Sequence, residues 1–592
     1  MNEVAQHALR VTRAATASRS RDLAPDCRGL NFYDIDHGMR SLLPLYMDAS
    51  LLTHLEPHLS ELGQLSGGRL GELADTANRH EPELHHRDRL GRDEEWLEFH
   101  PAYREMEELA YGRFGMHAMT NRPGVLGWPE KMPAIAKYAF HYLFSQAEFG
   151  LLCPVNLTDS SSDLVHRFGT EELKSRYLDK LWSQDTSQLL KCSQFMTEKA
   201  GGSDIGRSDL IAVREGSHWR LWGEKWFCSN VDADLAVLLA RPEGGAEGSR
   251  GLGLFLMPKV LEDGTRNGYR IRRLKDKLGS KSMASGEIVF EGALAYCLGD
   301  LDQGLKQMLV MVNSSRISHL TRAAGMMRRC LNEALVAVRH RNAFGRTVID
   351  HPLMRRQLMK LMVPTEQALS AMLYAASVSG DSSEQATNLL RLLTPIFKYR
   401  ACRDNVPVAT GAMEARGGNG YIEDWPNARL VRDAHLGLIW EGTSNINALD
   451  AIQRAVAKKR AHEALREDLA RRIEEASLPG EFRKNLSSAV EQAIRFAEEV
   501  AGAPEHERFI REAASQLYHV TTATLLATEG RQLGVVGGDA RRLLLSRFVL
   551  EHRLQQRAAS SLSAAAWEEE AITLLLSESP VSLEVAERLV QA

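Results

Sequence analysis

Glu441 stands between an indole and a glycine in Trp440-Glu441-Gly442-Thr443-Ser444, just ahead of the helical stretch Asn445 to Lys458. A carboxylate beside Trp440 loses hydration, which raises its pKa toward the range useful for a general base. The plainer alternative is a helix-start carboxylate favoured by the macrodipole. Upstream, Arg416-Gly417-Gly418-Asn419-Gly420-Tyr421 follows a long helix. Its glycines can take positive φ and admit a ligand close to the backbone, or they are a plain C-cap.

Three further motifs carry polar chemistry. Met196-Thr197-Glu198-Lys199-Ala200-Gly201-Gly202-Ser203-Asp204-Ile205 offers backbone N–H groups and a hydroxyl suited to a phosphate or a flavin edge. Alone, it reads better as an ordinary Gly-rich turn. Lys225-Trp226-Phe227-Cys228-Ser229-Asn230 ends a strand with an aromatic pair that can stack on a planar ring or pack in a core. In Arg339-His340-Arg341-Asn342-Ala343-Phe344-Gly345, Arg341 can grip a pyrophosphate or lie solvated at a helix end. Neither a strand–GxGxxG–helix unit nor a Walker-type loop occurs, which argues against Rossmann and P-loop nucleotide sites.

The elements that must position these residues change texture along the chain. Helical periodicity runs from about Gly38 to Leu190, with Met132 to Leu152 expected as one long helix. From Ser193 to about Gly299, short apolar runs alternate with turns, predicting a small antiparallel barrel or sandwich. Long amphipathic repeats then return over Met308 to His340, Pro352 to Ser379 and Gln385 to Met413, each long enough for a bundle helix. A last helical region follows, interrupted near Pro479-Gly480, Gly502-Pro504 and Gly534-Gly538. The expected class is α+β. It comprises an arm and helical domain (1–190), a β domain (191–300), a helical bundle (301–454) and an added helical module (455–592).

At 592 residues the chain is too long for one core. Its 44% hydrophobic and 25% charged residues are those of a soluble globular protein, and a net charge of -4 gives no global pull toward nucleic acid or anionic lipid. Seven cysteines lie far apart, with no CxxC pair and no His/Cys cluster, so neither a disulfide framework nor a metal site is expected. No apolar run reaches the length of a membrane span. Met1 to Asp22 holds Arg10, Arg13, Arg19 and Arg21 among Ala and Ser and is read as a loose arm rather than a transit peptide; the expected location is the cytoplasm.

The order of the motifs resembles one family. A helical domain followed by TE-x-x-GGSD, KWF-x-S-N, R-x-x-FG, RGGNGY and WEGTSN is similar to the acyl-CoA dehydrogenase flavoproteins over about Met132 to Arg454. The resemblance implies FAD as cofactor and an acyl-CoA thioester as substrate. It makes Glu441 the base that takes the α-proton while the β-hydrogen leaves as hydride to flavin N5. Some relatives carry the base just before an arginine on the first helix after the strands; here Ser315 precedes Arg316 and cannot serve.

By the same carry-over Met196, Thr197, Gly202 and Ser203 contact flavin or thioester, and Ser203 and Arg316 meet substrate. Phe227 and Ser229 flank the isoalloxazine, and Thr443 and Asn445 meet the diphosphate end. Arg341, Phe344, Glu414 and Gly418 hold the same FAD from a partner subunit, implying a homodimer or homotetramer. Electron-transferring flavoprotein is the acceptor the resemblance implies. Glutamate rather than aspartate at the base position favours dehydrogenation over the family's oxidase chemistry.

This sequence departs from the family pattern at Lys199-Ala200-Gly201, where Pro-Gly-Ala is common. Asn313 stands in place of the usual Asp, and Glu414 in place of the usual Gln. The Thr197-Glu198-Lys199 motif, Leu274-Lys275-Asp276-Lys277-Leu278-Gly279, Phe255-Leu256-Met257-Pro258 and the added C-terminal module resemble more narrowly the bacterial DNA alkylation-response (AidB) branch. That branch implies an alternative: a DNA-associated flavoprotein with weak or vestigial dehydrogenase activity. The module's acids and bases are balanced, which argues against DNA as a partner. Its best basic feature is a stripe of Arg542, Arg553 and Arg557.

Overall fold

A computed structural model of the chain describes residues 23–555 and 566–591. The arginine-bearing arm Met1 to Asp22, and Arg557 of the expected basic stripe, lie outside the described residues.

The N-terminal region is helical, as its periodicity predicts: α1 (His37–Tyr46), α2 (Ala49–Gly67) and α3 (Arg69–Arg79) come first. Asp36 and Asp48 cap α1 and α2 by accepting from Met39 N and from Ser50 N and Leu51 N, satisfying amides that an unpaired helix end would leave open. An antiparallel hairpin, β1 (Glu83–Arg87) and β2 (Asp93–Glu98), interrupts the expected helical run. Next come α4 (Pro101–Glu107), opened by a proline at its first position, α5 (Ala134–Ser145), α6 (Leu152–Phe168) and α7 (Glu171–Leu181). The apolar stretch Met132 to Leu152 is therefore not one helix. The chain turns at Gln146 to Leu151, where buried Glu148 takes the free amides of Gly150 and Leu151.

The strand region is a barrel. β3 (Cys192–Phe195), β4 (Ile211–Glu215), β5 (His218–Ser229), β6 (Leu235–Pro242), β7 (Gly253–Pro258), β8 (Tyr269–Leu274) and β9 (Ser285–Leu298) form one sheet. Pairings β6–β4, β4–β5, β5–β9, β9–β7 and β7–β6 close it, and β3 and β8 extend its edges. It is mainly antiparallel, but β6 pairs in parallel with both β3 and β4, because the chain crosses between them rather than turning back in a hairpin. Trp219 to Trp222 and the Lys225–Ser229 motif lie on one strand, bent at Gly223 (φ 134°) beside a register shift against β9.

The bundle is built on α8 (Gly304–His340), α9 (Pro352–Val378) and α10 (Glu384–Arg416), within a residue or a few of where the amphipathic repeats place them. α8 is buried along most of its length against α5, α6, α9 and α10. Gly417, at φ 78°, ends α10 with its N–H on the Met413 and Glu414 carbonyls. α11 (Asn427–Leu436) and α12 (Ser444–Leu449) follow, and α12 continues into a wide turn, Asp450–Val456, with π-type bonding.

The added module comprises α13 (Ala461–Glu475), α14 (Gly480–Gly502), α15 (Ile510–Val535), α16 (Arg541–Val549), α17 (Ala566–Leu576) and α18 (Leu583–Gln591). Its first three breaks fall at the Pro/Gly sites. The basic-stripe expectation fails at Arg542, which is buried and pairs with Glu366 at 2.6 Å and Glu529 at 2.8 Å. Helical period alone does not show that α9 covers this face.

Candidate active site

Barrel, α6, α8 and the α11–α12 connection enclose a cavity of about 1850 Å³. Met196, Thr197, Gly202, Ser203, Phe227, Ser229, Arg316, Glu441 and Thr443 all line it, so three motifs separated by some 240 positions of sequence meet in one place. Asn445 lies on the exposed first turn of α12, outside the lining.

The Thr197–Ser203 loop is fixed from beneath. Glu198, buried, accepts from Lys225 Nζ at 2.6 Å and from Asp209 N at 2.6 Å, and the Trp226 N–H donates to the Thr197 carbonyl at 2.8 Å. A salt bridge so deep is held only because further hydrogen bonds satisfy both ions. The TE-x-x-GGSD and KWF-x-S-N motifs are thus tied to each other. The Gly201 turn (φ 125°) has open space where a Cβ would stand. Trp226 and Phe227 present ring surface, Phe227 being 54% exposed, and Thr197, Ser203 and Ser229 present hydroxyls. Apolar plates, hydroxyls and free backbone in so large a cavity suit a flavin dinucleotide.

Glu441 takes a left-handed backbone conformation, φ 52°, one that costs a non-glycine residue energy and persists only where its surroundings impose it. Those surroundings are specific. Lys398 Nζ donates to the Gly442 carbonyl at 2.6 Å, and Asn447 Nδ2 donates to the carbonyls of Gly442 at 2.7 Å and Thr443 at 3.0 Å. Thr443 caps α12 by accepting from Ile446 N. Arg316, on α8, reaches the Glu441 carbonyl at 3.4 Å while its Nη1 pairs with Asp450 at 2.7 Å. Asp450, from the wide turn after α12, supplies the countercharge that Asn313 lacks; Asn313 meets Arg316 only at 3.3 Å. Burial pushes the Glu441 carboxyl above its ordinary range, and the charges of Arg316, Lys398 and Arg322 pull against that rise. Burial likewise brings the Lys398 amine down to about 8. Ser315 is buried and accepts from Asn156 Nδ2 at 3.0 Å.

The other predicted positions gather elsewhere. Arg341 Nη1 donates to the Arg416 carbonyl at 2.9 Å beside Gly417, Glu414 accepts from Gln357 at 3.1 Å, and Gly418 is exposed. Phe344, at the tip of a two-residue hairpin, is 96% exposed. None of these lines the cavity of its own chain. Residues that spacing did not single out include Lys398, Asn447, Asp450, His319 and Arg322. The last two share one helical face of α8 with Ser315, a polar stripe that was present in the sequence.

Three family profiles match the chain: the adaptive response protein AidB N-terminal domain over residues 23–186, and the acyl-CoA dehydrogenase middle and C-terminal domains over 193–293 and 302–457. Acyl-CoA dehydrogenase family member 11 of Caenorhabditis elegans is 32% identical over 475 residues, 78% of this chain and 76% of that protein. The putative acyl-CoA dehydrogenase AidB of Escherichia coli (strain K12) is 32% identical over 78% of this chain and 84% of its own length. This chain belongs to the acyl-CoA dehydrogenase family. As a member it is an FAD-dependent oxidoreductase, and the AidB-type N-terminal domain places it beside that branch. The solved structure of the Caenorhabditis elegans family member 11, in complex with C11-CoA, superposes with a TM-score of 0.81 at 27% identity, covering 90% of this chain and 93% of that one. Among the described residues no helix is long and apolar enough to cross a membrane.

Proposed function

We propose that this acyl-CoA dehydrogenase removes the α-proton of an acyl-CoA thioester with Glu441 as the base. One observation carries the reading: Glu441 is held at positive φ, with a raised pKa, in the cavity that also presents Thr197, Ser203, Phe227 and Ser229. A carboxylate stripped of water is a stronger base toward a carbon acid than a hydrated one, and its fixed backbone keeps it aimed. FAD, when bound, supplies the acceptor for the β-hydride. Met196, Thr197, Gly202 and Ser203 would hold its ring end or the thioester, Phe227 and Ser229 would flank the ring, and Thr443 and Asn445 would meet its diphosphate.

Arg341, Phe344, Glu414 and Gly418 complete the FAD site of a second subunit. Their position outside their own cavity, with Phe344 almost wholly exposed, supports a homodimer or a dimer of dimers. Arg316, committed to Asp450 and to the Glu441 carbonyl, positions the base as well as lining the substrate space. Electron-transferring flavoprotein is the proposed acceptor, and the cytoplasm the proposed location.

Anaerobic titration of the FAD-loaded enzyme with acyl-CoA thioesters tests the reading. Bleaching of the flavin band in the parent and its loss in Glu441→Gln are expected; equal bleaching by both proteins would remove Glu441 from the role.

A further inference from the structure

Seven arginines of the described chain are buried, and six of them meet a carboxylate. Arg316 pairs with Asp450, Arg328 with Asp36 and Glu366, Arg329 and Arg416 with Glu333, Arg429 with Asp75, and Arg542 with Glu366 and Glu529. Arg322 is the exception. It is 1% exposed, no carboxylate among the described residues lies within ion-pair distance, and its Nη1 has no hydrogen-bond partner. Its other contacts are weak or neutral: the Ser318 carbonyl at 3.4 Å, one turn back on α8, and the His319 ring nitrogens at 3.1 and 3.3 Å. Burial, together with the nearby charges of Arg322 and Lys398, keeps His319 neutral, so it brings no negative charge.

Arg322 lines the cavity together with Trp440, Glu441 and His319. Its guanidinium carbon sits 5.1 Å from the Phe149 ring centre and 5.5 Å from that of Trp440, the two rings being nearly parallel at 15°. Aromatic faces attract the cation but offer no acceptor to its N–H groups. Glu441 contributes charge at longer range without a direct bond. A guanidinium buried without an anion is costly, and its rigid fork matches a carboxylate.

We propose that Arg322 receives the free carboxylate of the acyl group, so that the preferred substrate is a short ω-carboxyacyl-CoA. This deepens the thioester reading above and rests on it. The chain is short because Trp440, whose ring touches the Arg322 guanidinium, directly precedes the base. The reaction is unchanged: the α-C–H would yield its proton to Glu441, the β-C–H would yield hydride to FAD when FAD is bound, and a C=C bond would form. The distal carboxylate neither gains nor loses a bond.

The test compares glutaryl- and adipyl-CoA with the neutral valeryl- and hexanoyl-CoA on the FAD-loaded enzyme, reading the Kd from the flavin spectral shift and kcat/KM from bleaching. Pairing a buried guanidinium, against leaving it unpaired, predicts a preference of at least about tenfold for the carboxylated series, expressed mainly in Kd. Arg322→Met should invert that preference, and Arg322→Lys should retain part of it, with melting temperature recorded for each. A parent enzyme that binds and oxidises the neutral series as well as or better than the carboxylated one would overturn the proposal while leaving the thioester reading intact. Bleaching by neither series would overturn both. The parent panel decides even if Arg322→Met does not fold.

Discussion

The ammonium of Lys398 donates to the carbonyl of Gly442 at 2.6 Å, and this bond reaches the base through its backbone rather than through its carboxylate. Lys398 comes from the middle of α10, 43 positions before Glu441, and turns inward to share with Asn447 the glycine carbonyl that follows the left-handed turn at Glu441. Its charge also lowers the proton affinity of Glu441.

Lys398→Met should therefore act in two ways. Losing the anchor loosens the base, lowering kcat by roughly ten- to a hundredfold with a smaller change in KM, since small displacements of a catalytic group are costly. Losing the charge raises the Glu441 pKa further, moving the acid limb of the rate profile to higher pH. Steady-state kinetics over a pH series separates the two; an unchanged acid limb would show that the charge does not reach the base.

The parent profile has a defined sign. Glu441 works as the carboxylate, and burial raises its pKa above the ordinary value. kcat/KM should rise with pH through a pKa above the usual glutamate range and fall away below it. A limb at or below the ordinary glutamate value would mean that Glu441 is better hydrated than its surroundings indicate.

Beneath the Gly-rich loop, Lys225 and Glu198 form a pair with both side chains almost wholly buried. Lys225→Met leaves Glu198 charged and unmatched, which costs about 3–5 kcal/mol when such a pair is broken from one side. Because the pair holds the Thr197–Ser203 loop against β5, FAD affinity should fall along with melting temperature. Flavin release on dilution measures this; a destabilised variant with unchanged FAD retention would separate the ion pair from the loop's function.

The added module is fastened to the bundle by charge as well as by packing. Arg542 of α16 joins Glu366 of α9 and Glu529 of α15, and Arg328 of α8 joins the same Glu366. The two arginines hold the Glu366 carboxyl down at about 2. A depressed carboxylate contributes stability that is complete above its unfolded pKa and lost as pH falls toward its folded value. Unfolding midpoints should therefore drop between the ordinary glutamate range and pH 2 in the parent. Arg542→Met should cost about 3–5 kcal/mol at neutral pH, because Glu366 and Glu529 lose their shared partner. A change below about 1 kcal/mol would show that packing alone seats the module.

Much of this architecture is legible in the sequence where period and composition agree. α8, α9 and α10 follow from sustained apolar repeats, and Glu441 from its place between Trp440 and Gly442. The β1–β2 hairpin is not legible. Its residues Glu83–Arg87 and Asp93–Glu98 are mostly charged, and the two that are buried, Glu95 and Leu97, include a carboxylate, so no apolar alternation marks the strand. The break after Ser145 is hard to read as well, because the turn is as buried as the helices around it and its Gln146 and Glu148 lie among apolar residues. Lys398, Asp450 and Arg322 escape for a different reason. Lys398 and Arg322 are polar residues on buried helices and Asp450 opens the turn after α12, and only the packing of α6, α8, α10 and α12 shows that they converge around Glu441.

Proton exchange at the substrate's α-carbon tests the central claim most directly. The FAD-loaded enzyme, held anaerobically in D2O with an acyl-CoA thioester, should incorporate deuterium at Cα, read by NMR of the recovered thioester. Glu441→Gln should incorporate none above the uncatalysed background while still binding the thioester. Exchange by Glu441→Gln at the parent rate would contradict the assignment of Glu441 as the base.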